Sequence, residues 1–250
     1  MFKDERYDKI LKIVDEKEYV SANELAKMLY VSMPTIRRDL AELHSKQLIL
    51  RSHGGAKKIK SEHKVTPLDF RKTLNISEKR RICEKASALI NDNDIIFIDA
   101  SSTAMQLIDY ISGKKNLTVI TNGIPLASLL IYKGIKAYCT GGEIQHNSFA
   151  MSGSFAEDFV RSFNIDTVFF SCFGVNSNGM IVDASLSETM FRKVAVRHAK
   201  KSVFLCDSTK FDTTASYNLM PLDDVDVVVT TREDVDLFFG YNYKTTVIKC

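Results

Sequence analysis

The sequence predicts an α/β protein in two parts: an N-terminal winged helix-turn-helix and a C-terminal α/β domain built on a largely parallel sheet. Three observations predict it. Two short helical segments, SANELAKML and VSMPTIRRDL, follow each other with almost nothing between them. A basic, unpatterned stretch ending at Pro67 then separates this start from the rest. Beyond Pro67, short apolar runs alternate with helical segments, the pattern of strands covered on both faces.

Residues 4–16 form a first amphipathic helix with Ile10, Leu11 and Val14 on one side. Ser21 and Glu24 make an S-x-x-E capping box ahead of Leu25, Met28 and Leu29. Only Tyr30 and Val31 separate this helix from Ser32, an N-cap for the next, and Pro34 falls in the first turn, where its missing N–H costs nothing. The spacing sets Ile36, Leu40 and Leu43 on the buried face. Pro34, Arg38 and Ser45 point outward, flanked by Thr35, Arg37, Ala41 and Glu42. After it, Leu48–Ser52 reads as one strand of a wing with His53-Gly54-Gly55 as its turn. A charged helix face is commonly just solvated. Here it belongs to the second helix of a helix-turn-helix, which lies in the major groove of double-stranded DNA. Thr35, Arg37 and Arg38 are then the expected DNA contacts, with Ser32 and Met33 at the helix entrance and Arg51, His53 and Lys57 at the wing or nearby backbone.

Charge follows the same division. Residues 1–60 carry 13 Lys/Arg against 9 Asp/Glu, and the remainder 21 against 22, so the positive excess sits beside the expected reading helix. The expected boundaries are a DNA-binding domain over 1–56, a linker over 57–66 and an α/β domain over 67–250. One reading helix rarely suffices for an operator, so a homo-oligomer, dimer or tetramer, is expected on repeated half-sites.

In the second part, Ile95–Ile98, Leu117–Ile120, Ala137–Cys139, Val168–Phe170, Val203–Cys206 and Val225–Val229 read as strands, with Thr246–Lys249 as a last edge strand. Segments near 77–90, 102–112, 124–132, 152–163, 187–199 and 233–239 read as helices. In an open parallel sheet, ligands collect beyond the carboxyl ends of the strands. The segments there are Asp99-Ala100-Ser101-Ser102-Thr103, Thr121-Asn122-Gly123, Thr140-Gly141-Gly142, Ser171-Cys172-Phe173-Gly174 and Asp207-Ser208-Thr209-Lys210. Each taken alone is an ordinary cap or turn. Together on one edge they mark a small-molecule pocket, with Ser101, Ser102 and Thr103 as an anion cradle at a helix start and Lys210 as a positive charge. The expected effector residues are Asp99, Ser101, Ser102, Thr103, Thr121, Asn122, Gly141, Gly142, Asp207 and Lys210.

Enzymatic motifs are missing: the sequence holds no GxSxG, no P-loop and no GxGxxG opening a helix. No catalytic residue is assigned. The five histidines show no metal spacing, so neither metal nor cofactor is expected. Five scattered cysteines without a CxxC, a charged start and no apolar run near 18 residues predict a cytoplasmic protein without a membrane span.

These residues carry a resemblance to the DeoR family of bacterial transcriptional regulators over almost the whole length. VSMPTIRRDL followed by Arg51-Ser52-His53-Gly54-Gly55-Ala56 resembles the family's VSxxTIRRDL…RxHGGA signature. In the second part, Phe70-Arg71 and Glu78-Lys79 resemble its approach helix, and Asp99…Ser102-Thr103 its D-x-G-[ST]-T loop. Thr121-Asn122 resembles its TN, Gly141-Gly142…Gly153 its GG…G, and Asp207–Phe211 its D-S-[ST]-K-F. The resemblance implies a sugar-responsive regulator, most simply a repressor. It further implies a sensor half similar in fold to ribose-5-phosphate isomerase that binds phosphorylated sugars or related metabolites without catalysis. Three positions depart from the pattern: Ser101 for a loop glycine, Gln47 for a glycine before the wing, and Ser171-Cys172-Phe173-Gly174 for Gly-Ala-Asp-Gly. The last removes an acidic ligand contact at Phe173. The rival reading is a sugar-phosphate isomerase-like enzyme with an accessory N-terminal domain.

Overall fold

A computed structural model describes residues 2–45, 48–52, 54–58, 67–240 and 243–250, with the side chains of Asp4 and Ser45 excepted. His53, Gln47 and positions 59–66 of the expected linker lie outside the described residues. The chain divides into two compact units, Met1–Asn75 and Ile76–Cys250.

The first unit contains α1 (Lys3–Lys17), β1 (Tyr19–Ser21), α2 (Ala22–Leu29), α3 (Met33–Ser45), β2 (Leu50–Ser52), β3 (Gly55–Lys57) and α4 (Leu68–Arg71). Ser21 caps α2 through the complete expected box: its hydroxyl takes the Glu24 N–H, and Glu24 returns to the Ser21 N–H at 2.9 Å. Tyr30 closes α2 in the left-handed conformation. The three helices enclose Ile10, Leu25, Ile36, Leu40 and Leu43, with Val20 and Ala56 supplied by strands and Ile49 by the segment just before β2. The wing has a third strand that the sequence reading lacked. Tyr19–Ser21 pairs antiparallel with β3, giving the order β1-β3-β2. Gly55 permits this pairing, because a Cβ there would lie 2.3 Å from the Val20 carbonyl oxygen.

Two expected boundaries shift. Lys57 belongs to β3, and Lys58 donates its N–H to the Glu18 carbonyl at 2.8 Å, so the linker does not start at 57. Residues 67–75 lie in the first unit, because Phe70 is buried in its core with its ring 6.4 Å from that of Tyr7.

The second unit runs α5 (Ile76–Ser87), β4 (Ile95–Ile98), β5 (Thr118–Thr121), α6 (Ile124–Tyr132), β6 (Lys136–Cys139), β7 (Glu143–Gln145), β8 (Ala150–Ser152), α7 (Ser154–Arg161), β9 (Thr167–Phe170), β10 (Gly174–Val175), β11 (Met180–Asp183), α8 (Leu186–His198), β12 (Lys201–Cys206), β13 (Tyr217–Pro221), β14 (Val227–Thr230) and β15 (Thr246–Lys249). Its main sheet has the order β15-β14-β12-β9-β4-β5-β6, and every pairing is parallel. The strands β5, β9 and β14 are buried at every position, which is why they lack polar alternation. Phe97, Phe169, Phe170 and Phe204 fill the centre.

All seven expected strands are present, some displaced by a residue or two. Segment 102–112 is a 3-10 turn, Ala104–Asp109, and 233–239 is another, Val235–Phe238, rather than α-helices. Two small antiparallel sheets were not expected: the β7–β8 hairpin and the β10-β11-β13 sheet. Their strands are two to five residues long and carry polar or interrupted patterns, too short for periodicity to register.

Candidate nucleic-acid interface and effector site

Ser32 starts α3 as expected, its hydroxyl 3.4 Å from the Thr35 N–H it accepts and 2.8 Å from the Thr35 hydroxyl. Ile36, Leu40 and Leu43 are buried, and Arg37 and Arg38 are exposed. Neither guanidinium has an ion pair or hydrogen bond among the described residues. The residue between this pair and Leu40 does something the sequence did not disclose. Asp39 is buried and receives the fork of Arg6 from α1, with Nε to Oδ2 at 2.5 Å and Nη2 to Oδ1 at 3.0 Å. The carboxylate holds the Arg6 proton more firmly than usual, outweighing desolvation. This ion pair fastens α1 across the back of α3 and leaves the opposite face clear.

Arg37 and Arg51 line a cleft of about 730 Å³ between α3, the start of α2 and the wing, together with Asn23, His44 and Gly54. Arg51 and Lys57 are exposed, with the Lys57 ammonium 6.0 Å from the Tyr19 ring centre. Met33 and Thr35 are half-buried, Met33 against the core, and Ser32 is exposed. Of the expected contacts, only His53 lies outside the described residues. The cleft therefore offers two arginines, and Arg38 and Lys57 are exposed outside its lining, a donor set that suits phosphates and base edges.

At the carboxyl edge of the main sheet, Asp99 is buried and forms the hub. Its Oδ1 accepts the Ser101 N–H at 3.0 Å; its Oδ2 accepts the Ser171 N–H at 3.4 Å and Arg192 Nε at 3.2 Å. Ser101 caps the following 3-10 turn through the Ala104 N–H at 3.1 Å, so its hydroxyl serves the loop. Ser102 receives the buried Lys79 ammonium at 3.2 Å, while the Thr103 hydroxyl is buried without a partner among the described residues. Asn122 bridges loops, accepting the Ala100 N–H and donating to the Met151 carbonyl, both at 3.0 Å. Thr121 accepts the Gly123 N–H at 3.0 Å. Gly142, at φ +107°, lies where a Cβ would meet the Ser152 carbonyl oxygen at 2.5 Å; Gly141 has open space around it. Asp207 caps the Ser208–Lys210 turn, and Lys210 donates to the Cys172 and Phe173 carbonyls at 2.8 and 3.3 Å.

Asp99, Ser101, Ser171 and Arg192 thus share one hydrogen-bonded group, and Lys210 holds the same 171–173 segment through the Cys172 carbonyl. Asn122 reaches the 99–103 loop through the Ala100 N–H, whereas the Ser102 and Thr121 hydroxyls bond to Lys79 and to the Gly123 N–H. Gly141 and Gly142 follow β6 and make no hydrogen bond into this group among the described residues.

Sequence reasoning missed Arg192, Asp183 and Lys79. Glu188 and Arg192 stand four residues apart on α8, a spacing that reads as an ordinary surface pair. Arg192 is instead buried. Burial opposes its charge, but Asp183, Asp99 and Glu188 outweigh it and hold the proton above the usual arginine range. Nearby, burial pushes the Cys172 thiol up to about 12, which keeps it protonated and unreactive. Among the described residues no group of three His, Cys, Asp or Glu is arranged to hold a metal ion.

Two family models match the chain: the DeoR-like helix-turn-helix domain over residues 6–62, and the DeoR C terminal sensor domain over residues 74–232. The chain belongs to the DeoR family. Among its relatives, the HTH-type transcriptional regulator GolR of Listeria innocua is 33% identical over 234 residues, 93% of this chain and 92% of the relative. The lactose phosphotransferase system repressor of Staphylococcus aureus is 32% identical over 238 residues, 94% of each. The glycerol-3-phosphate regulon repressor of Escherichia coli is 30% identical over 227 residues, 90% of each. Ribose 5-phosphate isomerase A of Methanocaldococcus jannaschii matches 55% of each chain in structure, with a TM-score of 0.42 and 16% identity, a likeness that says nothing about activity. The DeoR relatives are named as regulators and repressors, not as enzymes. No helix among the described residues is long and apolar enough to cross a membrane.

Proposed function

We propose that this DeoR-family chain is a transcriptional repressor of a sugar-metabolism operon. Its first unit binds operator DNA, and its second responds to a phosphorylated sugar. The observation that carries this reading is the pair Arg37 and Arg38: exposed, unpaired among the described residues, and set on a helix clamped from behind by Arg6 and Asp39. Thr35 and Arg38 stand nearest to where base edges would lie. Arg37, Arg51 and Lys57 take phosphates, with Ser32, Met33 and His53 beside them. The protein works in the cytoplasm as a homo-oligomer, dimer or tetramer, because one reading helix gives too small a contact for an operator.

The sensor reading draws on Asp99, Ser101, Ser102, Thr103, Thr121, Asn122, Gly141, Gly142, Asp207 and Lys210, together with Lys79. Many of these groups are buried, so a ligand reaches them only as the loops move. A ligand that binds the moved state better than the closed one shifts the balance between them, which is the requirement for release from DNA. The isomerase reading is not supported: the relatives are regulators, and Phe173 stands where the family pattern has an acid.

The test is Arg37→Ala with Arg38→Ala against duplexes selected by the wild-type chain from a random pool. The double variant loses specific binding at least 100-fold, the Arg38 base contact at about 1–3 kcal/mol being lost together with the Arg37 phosphate contact. Unchanged specific binding overturns the assignment.

A further inference from the structure

We propose that Arg192 is the positioning residue of the effector site, an assignment that rests on the phosphorylated-sugar reading above. Its guanidinium ties its own helix and the end of β11 to a loop 93 residues away in the chain. Nε donates to Asp99 on the loop after β4 at 3.2 Å, and Nη1 donates to Asp183 at the end of β11 at 2.6 Å. Nη2 lies 3.7 Å from Glu188, one turn earlier on α8. All four side chains are nearly closed to solvent.

What Arg192 positions is Asp99, and Asp99 in turn sets two ligand loops. Its oxygens take the Ser101 N–H and the Ser171 N–H, so the orientation of this carboxylate helps set the 99–103 segment against the 171–173 segment. Without the guanidinium that holds one of its oxygens, this carboxylate is free to turn away from both N–H groups. Each loop presents one buried hydroxyl without a partner among the described residues, Thr103 Oγ1 on one and Ser171 Oγ on the other, which suits them to a polar ligand. The outer oxygen of Glu188 accepts the Ser148 hydroxyl at 2.8 Å, which fixes the β7–β8 turn against the same cluster. Lysine cannot replace this arginine, because a point charge cannot present the planar fork that meets Asp99 and Asp183 together.

The experiment compares the full-length wild type with Arg192→Lys. Thermal shift and release from a selected operator duplex are titrated with glycerol 3-phosphate, fructose 6-phosphate and ribose 5-phosphate. The expected result is at least a tenfold higher half-saturating concentration for Arg192→Lys, with operator affinity in the absence of sugar within twofold of wild type. A purely structural arginine would lower the melting temperature and leave the half-saturating concentration where it was; that result overturns the proposal. Should Arg192→Lys not fold, Asp183→Asn, which loosens the far arm of the fork at a side chain that makes no hydrogen bond to either ligand loop among the described residues, decides the matter. A threefold or larger loss of sensitivity supports the positioning role, and unchanged sensitivity overturns it. A wild type unresponsive to all three sugars overturns the ligand class, and the proposal with it, before any variant is compared.

Discussion

Asp39 lies between the exposed arginines of α3 and its buried face, and it takes both nitrogens of the Arg6 fork. Its replacement by alanine removes the carboxylate that faces a guanidinium nearly closed to solvent. Breaking such a pair costs about 3 kcal/mol. Urea unfolding of Asp39→Ala should show that loss, together with weaker DNA binding as α3 loses its support. Asp166 makes a pH-dependent contribution in the second unit. Its oxygens accept the Ile95 N–H at 2.9 Å and the Lys200 ammonium at 2.8 Å, holding its carboxyl below the usual range. A depressed folded value adds stability above the ordinary carboxylate range, and that stability is lost as pH falls through the depressed value. The stability gap between wild type and Asp166→Asn should therefore be widest near neutrality and close in acid, as urea midpoints measured across pH would show. These residue-level roles were not legible in the sequence. Asp39 and Asp166 are two acids among many, and only the chain's path brings Arg6 and Lys200 to them.

At the scale of elements, the apolar pattern places α3, which buries one face, and the five inner parallel strands, which are buried almost throughout; the edge strands β6 and β15 hold no fully buried residue and show only as short apolar runs. It failed where elements are short. β1 is three residues long and exists because β3 has an open edge, and Gly55 lets the two backbones approach. Gly55→Ala should force β1 away from β3 and lower the urea midpoint of the first unit, with a parallel loss of DNA binding. The anion-cradle expectation also changed at this scale. The loop after β4 opens a 3-10 turn, and Ser101 and Asp99 satisfy two of its N–H groups internally. Lys79 brings the positive charge to that loop from α5; the Glu78-Lys79 run marks the helix, and only the fold shows that its ammonium meets Ser102.

At the scale of the whole molecule, the two family matches fall one on each compact unit, with reading and sensing on separate cores. Both were legible because their signatures are local runs: TIRRD in the first unit, and the hydroxyl-rich strand ends in the second. The Arg192 cluster was not, because it gathers loop, strand and helix from positions 99, 183, 188 and 192. Phosphate contacts set the salt dependence of DNA binding. Arg51→Ala should reduce the slope of log affinity against log salt by about one, with base preference unchanged. Arg38→Ala should instead relax preference at one position of each half-site.

We infer that exposed arginines on α3 read DNA while a separate unit senses the sugar. Specific duplex binding and sugar-phosphate thermal shift, both measured on the Arg37→Ala, Arg38→Ala double variant, separate the two roles. Specific DNA binding should be lost and the sugar-induced shift retained at wild-type size. Retained specific DNA binding would contradict that inference.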